Sequence, residues 1–140
     1  THVSESLDLV QQAVFIGHSN SELLHAMLEL PSLEHVIGVE QVKSTRLGVS
    51  HLRTFPHFPD GKVTWWFGEN PTKSLKRLGK SSLASYDMAV IDRNAIDESQ
   101  YDISELIEEL ETLLKPNGML FDATEDVSYG HISNLLLHPN

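Results

Sequence analysis

Five short runs rich in β-branched and aromatic residues, separated by stretches with helical periodicity, constrain this chain more than any other feature. The runs are "AVFIG" (13–17), "HVIGVE" (35–40), "KVTWWFG" (62–68), "DMAVID" (87–92) and "MLFD" (119–122). Strands alternating with helices predict an α/β fold in which helices cover both faces of a largely parallel sheet. Between the first two runs, Asn20 or Ser21 can cap a helix whose apolar stripe is Leu23, Leu24, Met27, Leu28 and Leu30, ended by Pro31. The clearest helix is "DISELIEELETLLKPNG". Asp102 or Ser104 caps it, Ile103, Leu106, Ile107, Leu110, Leu113 and Leu114 recur every three to four residues, and Lys115, Pro116 and Gly118 stop it. Further helices are expected over residues 4–12, after Glu40, from Pro71 and in "HISNLLL"; "GVSHLRTFPHFPDG" reads as a loop.

A chain of 140 residues without a linker, repeat or low-complexity tract suits one domain over 1–140, alone or as a fragment or subunit of a larger assembly. No apolar run reaches the roughly 20 residues a bilayer requires, so the expectation is a soluble protein of the cytoplasm or an organelle interior. The absence of cysteine removes disulfides, thiolate metal sites and cysteine nucleophiles. Twenty acidic against ten basic residues, a formal charge of −10, repel a nucleic-acid backbone. "TKSLKRLGK" has its bases at helical spacing and reads as a solvated face.

In a parallel sheet the carboxyl ends of the strands share one side, where loops form a ligand crevice. That rule selects Gly17–Ser21, Glu40, Gly68–Asn70, Asp92–Asn94 and Asp122–Asp126. A carboxylate ending the second strand, Glu40, can accept two ribose hydroxyls. "GHSNS" lacks the second glycine of a nucleophile elbow, and no convincing Asp and His complete a triad. His51 and His57 have no matching third ligand for zinc.

"YDMAVID", followed after a helix by "LLKPNGMLFD", together with "VTWWFGENPTKSLKRL" and "HVIGVE", resembles the class I, Rossmann-like S-adenosylmethionine-dependent methyltransferases, most closely the small-molecule O-methyltransferases. The resemblance covers the whole chain. It implies a three-layer sandwich, a five-stranded sheet of order 3-2-1-4-5, S-adenosylmethionine as cofactor, and methyl transfer to a small oxygen or nitrogen nucleophile. The cofactor residues it implies are Gly17, His18 and Ser19 in the first loop, Glu40 for the ribose, Glu69 or Asn70 for the adenine, and Asp92 beside the methyl donor as base or orienter.

Departures from the family pattern are equally specific. Where its first loop has acid-x-Gly-x-Gly-x-Gly, this chain has Phe15, Gly17, Ser19 and Ser21. The serines narrow the loop, yet they and Asn20 offer polar groups to a ligand. Metal-dependent relatives use an Asp-Asn pair after the fifth strand. Here Asp92 and Asp122 remain, and the Asn position is Ala123, so two carboxylates would have to hold a hydrated Mg²⁺ and no metal is expected. The family's last two strands have no room, which would leave the fifth strand as an edge open to a protein partner or a second copy. An alternative follows from these losses: an inactive methyltransferase-fold domain serving as a structural or regulatory subunit.

Overall fold

The computed structural model of the protein describes residues 9–18, 21–41, 62–68, 71–93, 96 and 102–123. Five strands form one sheet: β1 (Gln12–Ile16), β2 (His35–Gln41), β3 (Val63–Gly68), β4 (Tyr86–Asp92) and β5 (Leu114–Ala123). Their order is β3-β2-β1-β4-β5, and every neighbouring pair is parallel. Among the described residues three helices accompany them: α1 (Glu22–Leu28), α2 (Pro71–Ser82) and α3 (Ile103–Leu113). This is the α/β fold expected. The helices anticipated after Glu40 and in "HISNLLL", and the loop over 48–61, lie outside the described residues; residues 9–11, at the end of the anticipated first helix, are not helical.

Strand alternation sends side chains to two separate cores, which is what makes three layers. Along β1, Ala13 and Phe15 join Leu23, Leu24 and Met27 of α1. Val14 and Ile16 join Leu75 and Leu78 of α2 and Leu106, Leu110 and Leu113 of α3. Among the described residues, α1 therefore covers the first face, and α2 and α3 cover the second. The pair on the second face is tied at its surface by Lys76 Nζ donating to Glu105 Oε1 at 2.9 Å.

On the first face the strands approach an aromatic pair. Phe15 and Trp65 meet edge to face, with centroids 6.4 Å apart. Gly38 pairs with Trp65 in the β2–β3 register, and a Cβ on Gly38 would stand 2.6 Å from the indole. The indole thus uses the space that a side chain would fill.

The end of α3 differs from the sequence reading. Leu114 is already extended (φ −81, ψ 144) and pairs with Tyr86, so β5 starts before the Lys-Pro-Asn-Gly turn rather than after it. The turn survives as an irregularity. Tyr86 pairs with Leu114, whereas Met88 pairs with Met119, so 115–118 bulge from the ladder. Gly118 fits because a Cβ there would meet Leu114 Cβ at 2.9 Å and Lys115 O at 3.0 Å.

At the amino ends of the strands, Asp87 fastens three partners. Its Oδ2 accepts from the amides of Gln11 (2.9 Å) and Gln12 (3.0 Å), and its Oδ1 accepts from Lys115 Nζ (3.0 Å). Partial burial pushes the Asp87 carboxyl up, but the two amides and the ammonium together outweigh it and hold it below its ordinary value. A group depressed in the folded state contributes stability above its unfolded pKa and loses it as pH falls through the folded one. His35, which shares a 2.8 Å hydrogen bond with the Thr64 hydroxyl, is pushed down by burial and has the same sign at higher pH. Stability should therefore fall on acidification in two ranges, first below about 6.5 and then below about 3.9. Denaturant melts across pH check this: Asp87→Asn should flatten the lower range and leave the upper one.

Candidate functional site

Strand order fixes where a crevice can open. From β1 the chain reaches β2 on one side and β4 on the other, so the topological switch lies between the carboxyl ends of β1 and β4. Gly17 follows one of these ends and Asp92 completes the other. A Cβ on Gly17 would lie 3.0 Å from Asp92 Cβ and 2.7 Å from Phe15 Cζ. Only glycine lets the chain turn this close to both.

Hydrogen bonds among the described residues gather the rim. Gly17 N–H donates to Val39 O at 3.0 Å, joining the turn to β2. His18 Nδ1 and Glu40 Oε2 are 3.4 Å apart, a long contact whose strength depends on a proton at Nδ1. Ser21 Oγ donates to Asp92 Oδ2 at 2.9 Å. Gly17, Glu40 and Asp92 share the strand parity of Phe15, Gly38 and Val90, so all belong to the α1 side of the sheet. Of the residues expected to bind a cofactor, the structure thus brings together Gly17, His18, Glu40 and Asp92. Ser19, Glu69 and Asn70 lie outside the described residues.

Exposure separates their possible chemistry. Side chains of His18 and Glu40 are 51% and 19% exposed, so the carboxylate of Glu40 is reachable from the rim. Asp92 and Ser21 are each 7% exposed. Here one expectation needs correcting: the hydroxyl of Ser21 is not offered to a ligand. It accepts from Leu23 N–H at 3.2 Å as the N-cap of α1 while donating to Asp92, because Ser21 has extended backbone (φ −65, ψ 137) and turns inward.

A shared cation on Asp92 and Asp122 is geometrically disfavoured. Asp122 pairs with Ile91 and Ala123 with Asp92, so alternation puts Asp122 on the α3 side and Asp92 on the α1 side. Asp122 is instead held by Arg93, whose Nε and Nη2 donate to its two oxygens at 2.8 and 2.9 Å. That bidentate fork supplies the counter-charge within the protein. Sequence reading put Arg93 on the rim within Asp92–Asn94 but gave it no role, although a base following a strand-end acid, opposite another strand-end acid, is a usable signal.

The opposite end of the sheet carries an open cavity of about 690 Å³, lined by Leu9, Val10, Asp87, Lys115, Pro116 and Met119 among others. It lies at the amino ends of the strands, away from the switch point.

No protein-family model and no curated protein matches the sequence. Among solved structures, the chain is similar to one described as "a Putative Type II Methyltransferase" from Anaeromyxobacter dehalogenans, with 16% identity and a TM-score of 0.54. The match covers 88% of this chain and 46% of that one, so the chain spans less than half its neighbour's length. At this identity the likeness is one of fold: the chain shares that neighbour's Rossmann-like α/β architecture.

Proposed function

We propose that this chain is an S-adenosylmethionine-dependent methyltransferase-like domain whose cofactor lies across the carboxyl ends of β1, β2 and β4. The observation that carries the reading is the convergence of Gly17, Glu40 and Asp92 at the switch point of a 3-2-1-4-5 sheet. Glu40, partly exposed and beside the Gly17 turn, is the acceptor for the ribose hydroxyls. Glu69 or Asn70 takes the adenine amino group, and Gly17, His18 and Ser19 pass along the cofactor's remaining length. The reaction it suits is transfer of a methyl group to a small oxygen or nitrogen nucleophile.

Such transfer is an in-line displacement, in which a protein contributes alignment and exclusion of water more than covalent chemistry. Asp92 at the end of β4 has the orienting part in this reading. Its burial and its bond to Ser21 favour that over proton abstraction, which requires reach to the nucleophile. Arg93 on Asp122 favours chemistry without a divalent cation.

Calorimetric titration of S-adenosylhomocysteine and NAD separates this from a dinucleotide site, since an acid after the second strand suits either ribose. Binding of the first at micromolar concentration and not of the second is the expected result. A stronger response to NAD would move the reading to a dehydrogenase-like site. Binding without turnover over a panel of acceptors would favour the inactive structural or regulatory domain.

The same reading assigns a protein partner or a second copy to β5, which pairs with β4 alone among the described strands. Light scattering should show a mass above that of the monomer. A monomer with slowly exchanging β5 amides on the edge away from β4 would count against it.

A further inference from the structure

Ser21 joins two parts of the rim that are far apart in sequence. Its hydroxyl donates to Asp92, 71 positions away, and the same oxygen accepts the amide of Leu23 in the first turn of α1. Ser21 N–H also donates to His18 O at 3.1 Å, and His25 N–H donates to Ser21 O at 3.2 Å. The residue therefore belongs at once to the β1–α1 turn, to the helix and to the end of β4. A hydroxyl that donates to a carboxylate becomes a stronger acceptor, so the bond to Asp92 strengthens the cap on Leu23. Both side chains are buried, which keeps water from substituting for either partner.

Gly17 makes this arrangement possible from the other side. The place where its Cβ would be is already in contact with Asp92 Cβ and the Phe15 ring, so the turn is seated directly against the β4 end. His18, the next residue, then faces Glu40. Gly17 and Ser21, either side of the β1–α1 connection, are thus both seated against the residue that completes β4.

We propose that Asp92 is a positioning residue: through the Ser21 hydroxyl it latches the start of α1 beside Gly17, on the rim where His18 and Glu40 meet a ligand. Its effect on ligand binding rests on the cofactor reading above. The latch itself does not, and it can be tested in the free protein.

The test is a double-mutant cycle read by amide hydrogen exchange at Leu23, with Leu110 in α3 as the reference for global unfolding. Ser21→Ala and Asp92→Ala should each speed exchange at Leu23 roughly tenfold relative to Leu110, and the double variant no more than either alone. Asp92→Asn keeps an oxygen that accepts from the hydroxyl, so it should restore exchange to within about threefold of wild type. If Asp92→Ala does not fold, Asp92→Leu, close in size and without an acceptor, takes its place in the cycle, and Ser21→Thr, which keeps the hydroxyl, should behave as wild type. S-adenosylhomocysteine affinity should follow the same order, weakened by Ser21→Ala and largely kept by Ser21→Thr.

Unchanged Leu23 exchange in Asp92→Ala, or effects that add in the double variant, would overturn the latch. Asp92→Asn behaving as badly as Asp92→Ala would also overturn it, since charge rather than the bond would then matter. Absence of S-adenosylhomocysteine binding in wild type counts against the cofactor reading alone, because the exchange cycle still decides the latch.

Discussion

Phe15→Asp, the change that restores the acid of the methyltransferase loop pattern, should unfold the domain rather than improve a cofactor site. Phe15 is fully buried among Leu23, Met27, Met88 and Val90, stacks edge to face on Trp65, and fills the space beneath Gly17. Removing a buried phenylalanine ring costs about 3–5 kcal/mol. An ionised carboxylate in its place adds several more, roughly, because it leaves water without a partner. Together these approach the whole stability of a domain, about 5–15 kcal/mol. Phe15→Leu should cost only about 0.5–3 kcal/mol. Thermal and denaturant unfolding followed by circular dichroism distinguish the two. A Phe15→Asp protein that melts like wild type and binds S-adenosylhomocysteine more tightly would mean that the ring is not part of the core.

The second large effect is on binding. Glu40→Ala should weaken S-adenosylhomocysteine at least tenfold, because a charged acceptor for a ribose contributes about 1.5–3 kcal/mol per hydrogen bond. Its effect on stability should be small. The side chain is partly exposed, and its long contact with the half-exposed His18 is of the kind that contributes about 0–1 kcal/mol. Calorimetry and a melt on the same sample check both halves. Equal affinity in wild type and Glu40→Ala would remove Glu40 from the site and leave the fold assignment untouched.

The fold was legible because its determinants are local and periodic. The runs at 13–17, 35–40, 62–68 and 87–92 match β1 to β4 within one residue at each end, and the stripe Leu106, Leu110 and Leu113 faces the sheet as its spacing requires. The start of β5 was not legible. Lys115, Pro116 and Gly118 carry a turn signal, and nothing local reveals that Leu114 pairs with Tyr86 before the turn begins. That pairing depends on a partner strand, which sequence proximity does not encode.

The site was legible only in its placement. That Gly17, Glu40 and Asp92 share a rim follows from parallel strands, a property of the fold class. What Ser21, Phe15 and Asp122 do there depends on parity and on contacts across the sheet. Ser21 read as an offered hydroxyl and turned inward; Asp122 read with Asp92 and fell on the opposite face, where Arg93 holds it. Phe15 read as a lost acid, and the structure shows what it gained, a ring closing the floor of the rim.

The most direct measurement is an amide chemical-shift map during titration with S-adenosylhomocysteine. Shifts are expected at Gly17, His18, Val39, Glu40 and Asp92, with Leu9, Val10, Asp87 and Met119 at the far end of the sheet unmoved. Shifts confined to that far cavity, or none at millimolar ligand, would contradict the proposed site.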